Sequence, residues 1–218
     1  MPVVAVINQK GGSGKTTAAV ALASAWAIEG RRVLLIDADP QGSALLWASA
    51  REGDPLLTTV ALPTSSLNRE AAAMAGDYDA VVIDGPPRAD SVTRSALMAA
   101  DLAVIPVQPS SLDLWAAEAV LGAIAEARAL RPDLLAVFLL NRRPARARIA
   151  EDAETYLQGL SLPLLTTSLA QRVSYAEAMA SGLSVLETDP RNAGREAKAL
   201  GAELAAILGM KAPKAKRK

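Results

Sequence analysis

The segment from residue 10 to residue 17 constrains this chain more than any other part of its sequence. It reads Lys-Gly-Gly-Ser-Gly-Lys-Thr-Thr, follows an apolar run at residues 3–7 and precedes a long alanine-rich stretch. Glycines let successive backbone N–H groups converge on an anion, and the N-terminus of a following helix adds partial positive charge. The order of strand, glycine-rich turn and helix therefore predicts a phosphate-binding loop, formed by Gly11, Gly12, Ser13, Gly14, Lys15, Thr16 and Thr17.

Two lysines give this loop an unusual form. Lys15 can reach the outer phosphates of a nucleotide, and the Thr16 hydroxyl can bind Mg²⁺. The usual pattern G-x-x-x-x-G-K-[ST] has glycine where this chain has Gln9, and the chain adds Lys10. Lys10 lies too early in the turn to reach the phosphates of its own loop, but a second subunit could deliver it across an interface, as an arginine finger is delivered. Taken alone, Lys10 would be interpreted as a solvent-exposed loop lysine.

Composition excludes several classes of function. The chain has 218 residues, a formal net charge of zero, and neither cysteine nor histidine. Disulfides, thiolate or imidazole metal sites, cysteine nucleophiles and histidine acid–base catalysis are therefore impossible. No apolar window reaches the length of a membrane span, and no basic, apolar leader precedes the first strand. We expect a cytoplasmic protein.

The spacing of apolar runs predicts the fold. Further runs at residues 33–36, 81–83, 102–107 and 134–140 are rich in Val, Ile and Leu without alternation, as in strands buried on both faces. We expect a doubly wound α/β fold, with a mostly parallel sheet flanked by helices and one domain over residues 1–209. A weaker run at 56–62 predicts an edge strand, and the basic residues 210–218 predict a disordered or DNA-attracting tail. Other predicted elements are a short strand at Pro163 and helices at 15–29, 43–52, 91–100, 112–131, 146–158, 172–181 and 191–209.

Acidic residues follow two of these strands. Asp37 and Asp39 come after the second core run, and Asp84 ends the third. Ligands of open α/β sheets bind outside the carboxyl ends of the strands, and Mg²⁺ prefers hard oxygen ligands. Asp84 therefore fits a role in holding the metal shell. One of Asp37 and Asp39 can support the Mg²⁺ waters and the other can orient an attacking water; the simpler alternative for each is a helix N-cap.

These motifs together resemble a known family. The loop is similar to the deviant Walker A motif of the ParA/MinD group of P-loop ATPases, residues 33–41 to the second motif of its ParA branch, and residues 81–84 to its Walker B motif. Residues 106–110 and 182–185 also resemble short, ParF-like ParA proteins, so that the resemblance extends from residue 3 to about residue 209.

The resemblance implies a P-loop NTPase fold and an ATP·Mg²⁺-dependent ATPase that forms a sandwich dimer. Lys10 would cross to the phosphates of the partner, Asp39 would serve hydrolysis, and Asp37 would support Mg²⁺. Such dimers bind DNA without sequence preference, and a ParB-like or other adaptor stimulates hydrolysis. The protein would thus be associated with the nucleoid and position a plasmid, a chromosome or a protein cluster.

Basic and polar residues late in the chain are candidates for DNA and base contacts. Asn141 could hydrogen-bond adenine, although a turn or cap role is equally compatible with its position. The three tryptophans lie among apolar helix positions and are interpreted as core or interface residues. Any of the basic residues could instead belong to a solvated face; the candidates for DNA phosphate contacts are Arg142, Arg143, Arg146, Arg148, Arg172, Arg195 and Lys198.

Three alternatives remain at this point. A MinD-like membrane-associated ATPase would need an amphipathic terminal helix, for which residues 191–209 offer few bulky apolar residues. An ATP-dependent metabolic ligase on the same fold would need a second pocket with its own polar groups. A nucleotide-dependent scaffold without turnover is weakly opposed by the presence of Lys15 and Asp39.

Overall fold

A six-stranded sheet forms the centre of the molecule. The computed structural model describes residues 1–88, 91–145 and 147–212. The strands run parallel in the order β3-β2-β4-β1-β5-β6. They are β1 (Val3–Val6), β2 (Val33–Asp37), β3 (Thr58–Ala61), β4 (Ala80–Asp84), β5 (Leu102–Val107) and β6 (Leu135–Leu140).

Helices cover both faces of this sheet. One layer contains α1 (Lys15–Ile28), α2 (Ser43–Ser49), α7 (Val173–Ala180), α8 (Val185–Thr188) and α9 (Ala193–Ile207). The opposite layer contains α3 (Leu67–Met74), a 3-10 turn (Ala75–Asp77), α4 (Ser91–Ala99), α5 (Ser111–Leu130) and α6 (Arg148–Gln158). The predicted parallel α/β architecture is therefore confirmed. Arg146 and residues 213–218 of the predicted tail lie outside the described residues.

Burial explains why the core strands have continuous apolar sequences. Every residue of β2, β4 and β5 is buried, whereas β3 is exposed at both ends and only half-buried between them. Parallel strands covered on both faces have no solvent side that would require alternation. The weaker apolar run at residues 56–62 accordingly gives the edge strand that its composition predicts.

The strand predicted at Pro163 does not form as a continuous element. Residues 163–171 lie alongside β6 and the residues after it, with isolated bridges from Leu164 to Phe138 and from Ala170 to Arg143. Between these bridges the backbone N–H groups of Thr166 and Thr167 donate to the Glu203 carboxylate of α9, each at 2.8 Å. Because α9 takes these donors, the ladder with β6 is interrupted.

The connections place one loop at the reversal point of the sheet. The chain leaves β1 through α1 towards β2 on one side, and later crosses from β4 through α4 to β5 on the other side of β1. In open α/β sheets such a reversal opens a crevice at the carboxyl ends of the strands. The glycine-rich loop after β1 lies there, together with the ends of β2, β4 and β5.

Candidate nucleotide-binding site

The glycines of the loop satisfy two different requirements. Gly12 and Gly14 have φ angles of 77° and 86°, in the left-handed region that favours glycine. A Cβ atom at Gly14 would also lie 2.2 Å from Asn141 Nδ2, whereas one at Gly11 or Gly12 would meet nothing within 4 Å. The loop thus stays open on the side of Gly11 and Gly12 and is tightly packed at Gly14.

Amide side chains hold this loop from the neighbouring strand ends. Asn8 Nδ2 donates to the Pro106 carbonyl at 2.8 Å, while Asn8 Oδ1 accepts from the Lys10 N–H at 3.0 Å. Gln108 Nε2 donates to the Gly12 carbonyl at 2.6 Å. These hydrogen bonds join the loop to the ends of β1 and β5. The loop conformation is therefore supported by the protein itself.

Asn141 braces the loop from the end of β6. Its Nδ2 donates to the Ser13 carbonyl at 2.8 Å, and its Oδ1 accepts from the Arg142 N–H at 2.9 Å. Asn141 is buried and lines a cleft of about 240 Å³ beside α7. Both ends of the amide already have protein partners, as in the cap role that the sequence left open. Its contact with adenine stays a prediction.

Lys15 points into the site from the first turn of α1. Its side chain is buried, and its Nζ donates to the Lys10 carbonyl at 3.2 Å. Burial lowers the pKa of this ammonium, while Asp84 and Asp39 raise it in part. A buried ammonium with a single backbone acceptor is well suited to an anionic ligand.

Two of the three predicted carboxylates are completely buried. Asp37 accepts from the Asp39 N–H at 3.1 Å through Oδ1 and from the Leu45 N–H at 2.9 Å through Oδ2. Burial nonetheless raises the pKa of Asp37. Asp39 is half-buried, and its Oδ1 accepts from the Gln41 N–H at 3.0 Å. The carboxylates meet at one sheet edge because Asp37 and Asp84 are paired in register.

Asp84 is the least satisfied polar group of the site. Both carboxylate oxygens are buried without a well-formed hydrogen bond among the described residues. Burial raises the pKa of Asp84 to about 7; the nearby Thr16 hydroxyl and Lys15 lower it in part, and Asp37 and Asp39 raise it further. Buried oxygens without partners require a cation or a proton. The residues at this edge therefore fit a divalent cation.

Lys10 does not extend freely into solvent. Its Nζ lies 2.6 Å from Oδ2 of Asp113, which is 103 positions later in the first turn of α5. The Lys10 side chain keeps 32% of its exposure, whereas that of Asp113 keeps 4%. Asp113 Oδ2 also accepts from the Ser110 hydroxyl, and its Oδ1 has no partner among the described residues. In the single chain, Lys10 is therefore a partly buried, paired side chain and not the solvent-exposed loop lysine of the alternative interpretation.

The predicted DNA-contact residues that the structure describes differ in whether they already form ion pairs. Arg143 pairs with Glu154 at 2.9 Å, and Arg172 pairs with Glu196 at 2.8 Å. The remaining described candidates are exposed and have no ion pair within the described part of the chain. They are Arg142 at the end of β6, Arg148 on α6, and Arg195 and Lys198 on α9.

The tryptophans divide into two kinds. Trp26 and Trp47 are buried, and their indole N–H groups donate to the Gly201 and Leu183 carbonyls. Their interpretation as core residues is confirmed. Trp115, in the first turns of α5, is 62% exposed and does not belong to the core.

Sequence reasoning missed three residues that shape the site. Asn8 and Gln108 brace the loop, and Asp113 holds Lys10. The available signals were a polar residue directly after a buried strand for Asn8 and Gln108, and the Ser110-x-x-Asp113 pattern of a helix start for Asp113. None of these patterns specifies which loop the side chain would contact.

A buried lysine and a buried, unpaired carboxylate beside a glycine loop at the reversal point of a parallel sheet define the class of P-loop nucleotide-binding proteins. Residues 4–185 match the family model described as the CobQ/CobB/MinD/ParA nucleotide binding domain. The chain belongs to this family, and its curated relatives place it among the ParA-family positioning ATPases. The family uses ATP and Mg²⁺.

Similar proteins cover nearly the whole chain. "Maintenance of carboxysome distribution protein A" from Gloeobacter kilaueensis is 40% identical over 90% of this chain and 89% of its own length. "Chromosome-partitioning ATPase Soj" from Thermus thermophilus is 33% identical over 89% of this chain and 91% of its own length.

Solved structures confirm the fold. Apo McdA from Cyanothece has a TM-score of 0.80 at 16% identity and covers 94% of this chain and 99% of its own. The septum site-determining protein MinD with Mg-ADP from Pyrococcus horikoshii has a TM-score of 0.77 at 20% identity, covering 95% and 97%.

Proposed function

We propose that this ATPase forms a dimer on ATP·Mg²⁺, binds DNA without sequence preference in that state, and dissociates when a cargo-bound adaptor stimulates hydrolysis. The observation that carries the proposal is the position of Lys10. Ordinary phosphate loops have no lysine there, and its ammonium forms an ion pair with Asp113. The Lys10 side chain keeps about a third of its exposure. Its ammonium is therefore available to the phosphates of a nucleotide bound to a second copy of the chain.

The described side chains support a division of work in hydrolysis. Lys15 would bind the outer phosphates, and Thr16 and Asp84 would hold Mg²⁺. Asp37, whose oxygens accept two backbone N–H groups, would support the metal waters from a fixed position. Asp39 is less buried and would orient the attacking water. Bound Mg²⁺ supplies charge neutralisation on the phosphate oxygens.

Among the candidates without an ion pair in the described structure, we favour Arg195 and Lys198 for DNA contact, because their spacing of three positions places them on one face of α9. Both are exposed on α9 and have no ion pair within the described residues. Arg143 and Arg172 already neutralise glutamates, so a DNA phosphate would have to compete with Glu154 or Glu196 for them. Nonspecific DNA binding depends on the number of such free cations that reach phosphates.

The names of the relatives suggest the kind of cargo. They refer to carboxysome distribution and to chromosome partitioning, and we propose a cargo of this kind together with its adaptor protein. A membrane role is not favoured, because Leu200 and Leu204 of α9 are buried against the domain. No helix of the described residues is long and apolar enough to cross a bilayer. An adaptor encoded beside this gene should raise the ATPase rate of the wild type and not that of Asp39→Ala.

The dimer is tested by light scattering coupled to size exclusion. With a non-hydrolysable ATP analogue and Mg²⁺, the wild type should double in mass, while Lys10→Ala should bind the analogue and remain a monomer. Lys211→Ala removes the same charge outside the loop and should dimerise normally. Asp39→Ala should form a lasting dimer with ATP itself. Normal dimerisation of Lys10→Ala would refute the role of Lys10, and rapid turnover by Asp39→Ala would refute that of Asp39.

DNA binding is tested by its dependence on salt. Each phosphate contact adds about 0.9 to the slope of log affinity against log salt concentration for duplex DNA. Replacing both Arg195 and Lys198 with alanine should therefore lower the slope by up to about 2 per protomer, whereas Arg143→Ala should change it little. Equal slopes for the wild type and the double variant would exclude α9 as the DNA-contacting element.

A further inference from the structure

Two distant parts of the chain meet at the C-terminal end of α2. The Arg51 guanidinium donates to both carboxylate oxygens of Glu187, at 2.7 and 3.1 Å, across 136 positions of sequence. It also donates to the Gly182 carbonyl at 3.3 Å. Beside it, Trp47 Nε1 donates to the Leu183 carbonyl at 3.0 Å. We call these contacts the α2 clamp.

The turn at residues 182–187 is shaped for this clamp. Gly182 has a φ of 65°, and a Cβ atom there would lie 2.2 Å from the Arg51 backbone nitrogen. Glu187 additionally accepts from the Ser184 N–H at 2.8 Å, within the capping box that starts α8. The Glu187 carboxylate is thus fixed before it meets Arg51. A bidentate pair with a fixed carboxylate sets both the orientation of the Arg51 guanidinium and its distance from Glu187.

The N-terminal end of α2 is hydrogen-bonded to the segment that carries Asp37 and Asp39. The Leu45 N–H donates to Asp37, and the Gly42 N–H donates to the Asp39 carbonyl at 2.9 Å. With seven residues, α2 is about 10 Å long at 1.5 Å per residue. A helix this short moves as a unit, so a displacement at Arg51 displaces the loop that carries Asp39.

Packing alone holds α2 weakly. Only Ala44 and Trp47 of its residues are buried, while Leu45 and Leu46 are exposed. Trp47 is itself hydrogen-bonded to the clamp turn. The side chains of Arg51 and Glu187 keep only 15% and 29% of their exposure, so their pair is better shielded than a typical surface ion pair.

We propose that Arg51 and Glu187 are positioning residues for ATP hydrolysis, an inference that rests on the role proposed for Asp39. Their ion pair fixes the C-terminal end of α2, and α2 in turn fixes the loop at residues 37–42 relative to Lys15. This gives the sequence motif at residues 182–185 a function, because its glycine and its turn receive Arg51. The pair touches neither the phosphate loop nor the cleft at Asn141, so it acts on turnover rather than on nucleotide binding.

The test separates turnover from binding. Arg51→Gln should lower kcat for ATP on the order of fivefold to tenfold, with KM changed less than about twofold, because the lost interaction concerns orientation in the transition state. Arg51→Lys, which keeps the positive charge and leaves the Glu187 capping box intact, should regain part of the wild-type kcat. Arg32→Gln breaks an ion pair with Asp79 at the amino ends of β2 and β4 and should have no effect.

A spectroscopic measurement reports the position of α2 directly. In protein labelled with 5-fluorotryptophan, the ¹⁹F resonance of Trp47, assigned through Trp47→Phe, should move in Arg51→Gln and return in part in Arg51→Lys. Unchanged kcat in Arg51→Gln would overturn the proposal, as would a restored resonance without restored kcat. Wild-type turnover by Asp39→Ala would instead refute the role of that carboxylate, since the Arg51 variants would still show whether the clamp controls kcat.

Discussion

Replacing Asp84 with asparagine should stabilise the nucleotide-free protein at neutral and alkaline pH. The carboxylate is completely buried, and its oxygens lack well-formed hydrogen bonds among the described residues. Asparagine has nearly the same shape and cannot ionise. Asp84→Asn therefore removes the cost of a buried charge while leaving the packing of β4 unchanged.

The size of the effect follows from the pKa of Asp84, which burial raises from 3.8 to about 7. A tenfold change in proton affinity corresponds to about 1.36 kcal/mol, so the ionised carboxylate costs the fold about 4 kcal/mol. The native state holds this proton more tightly than the unfolded chain. The wild type therefore loses stability as pH rises from about 4 to about 7, and loses no more from this group above that. Between pH 5.5 and pH 8, the advantage of Asp84→Asn should grow by about 2 kcal/mol.

Urea unfolding in EDTA without nucleotide measures this difference. Asp133→Asn removes a charge from an exposed position and serves as the control, with no growing advantage expected. Adding Mg²⁺ and an ATP analogue should stabilise the wild type more than Asp84→Asn, because only the carboxylate offers charge to the cation. Two results would refute this reasoning: a stability difference that does not depend on pH, or a variant less stable than the wild type at pH 8. Either would show that the Asp84 carboxylate is hydrated or has a hydrogen-bond partner.

Two further substitutions probe the loop. Gly14→Ala should abolish binding of a fluorescent ATP analogue, because the backbone there is left-handed and the new Cβ would lie 2.2 Å from the Asn141 amide nitrogen. The control Gly76→Ala places its Cβ in open space and should bind the analogue normally. Asp113→Asn should tighten the ATP-dependent dimer about fivefold for each protomer, since releasing Lys10 then costs about 1 kcal/mol less. The dimer dissociation constant is measured by sedimentation. An unchanged value would show that the Lys10 pair does not oppose dimerisation.

The sheet was accessible from sequence because its strands are buried on both faces. A run such as residues 102–107 is apolar throughout, and this pattern has few structural interpretations when runs alternate with helices. The strand predicted at Pro163 does not form as a continuous element, and the reason is a different one. Its pairing with β6 competes with Glu203, whose side chain comes from a helix almost forty positions later. No local pattern encodes such a competition.

The site shows the same division between local and distant information. The loop, Lys15, Asp37 and Asp84 follow from motifs whose spacing reflects backbone geometry after a strand. The partners of Lys10 and Arg51 do not, because Asp113 and Glu187 are more than a hundred positions away and belong to ordinary helix-start patterns. Sequence thus predicts which groups perform the chemistry, while only the folded chain shows what holds them.

The cis partner of Lys10 bears on how nucleotide state could control dimerisation. In the single chain the ammonium already has a buried carboxylate at 2.6 Å, so moving it to a second copy requires an attraction at least as strong. A nucleoside triphosphate carries one more phosphoryl group than a diphosphate, and the added negative charge lies at the outer end that Lys15 would bind. Asp113 would then set a threshold that ATP exceeds and ADP does not. A free lysine would set no such threshold and would attract either nucleotide, so under the proposed function the discrimination resides in the pair and not in Lys10 alone.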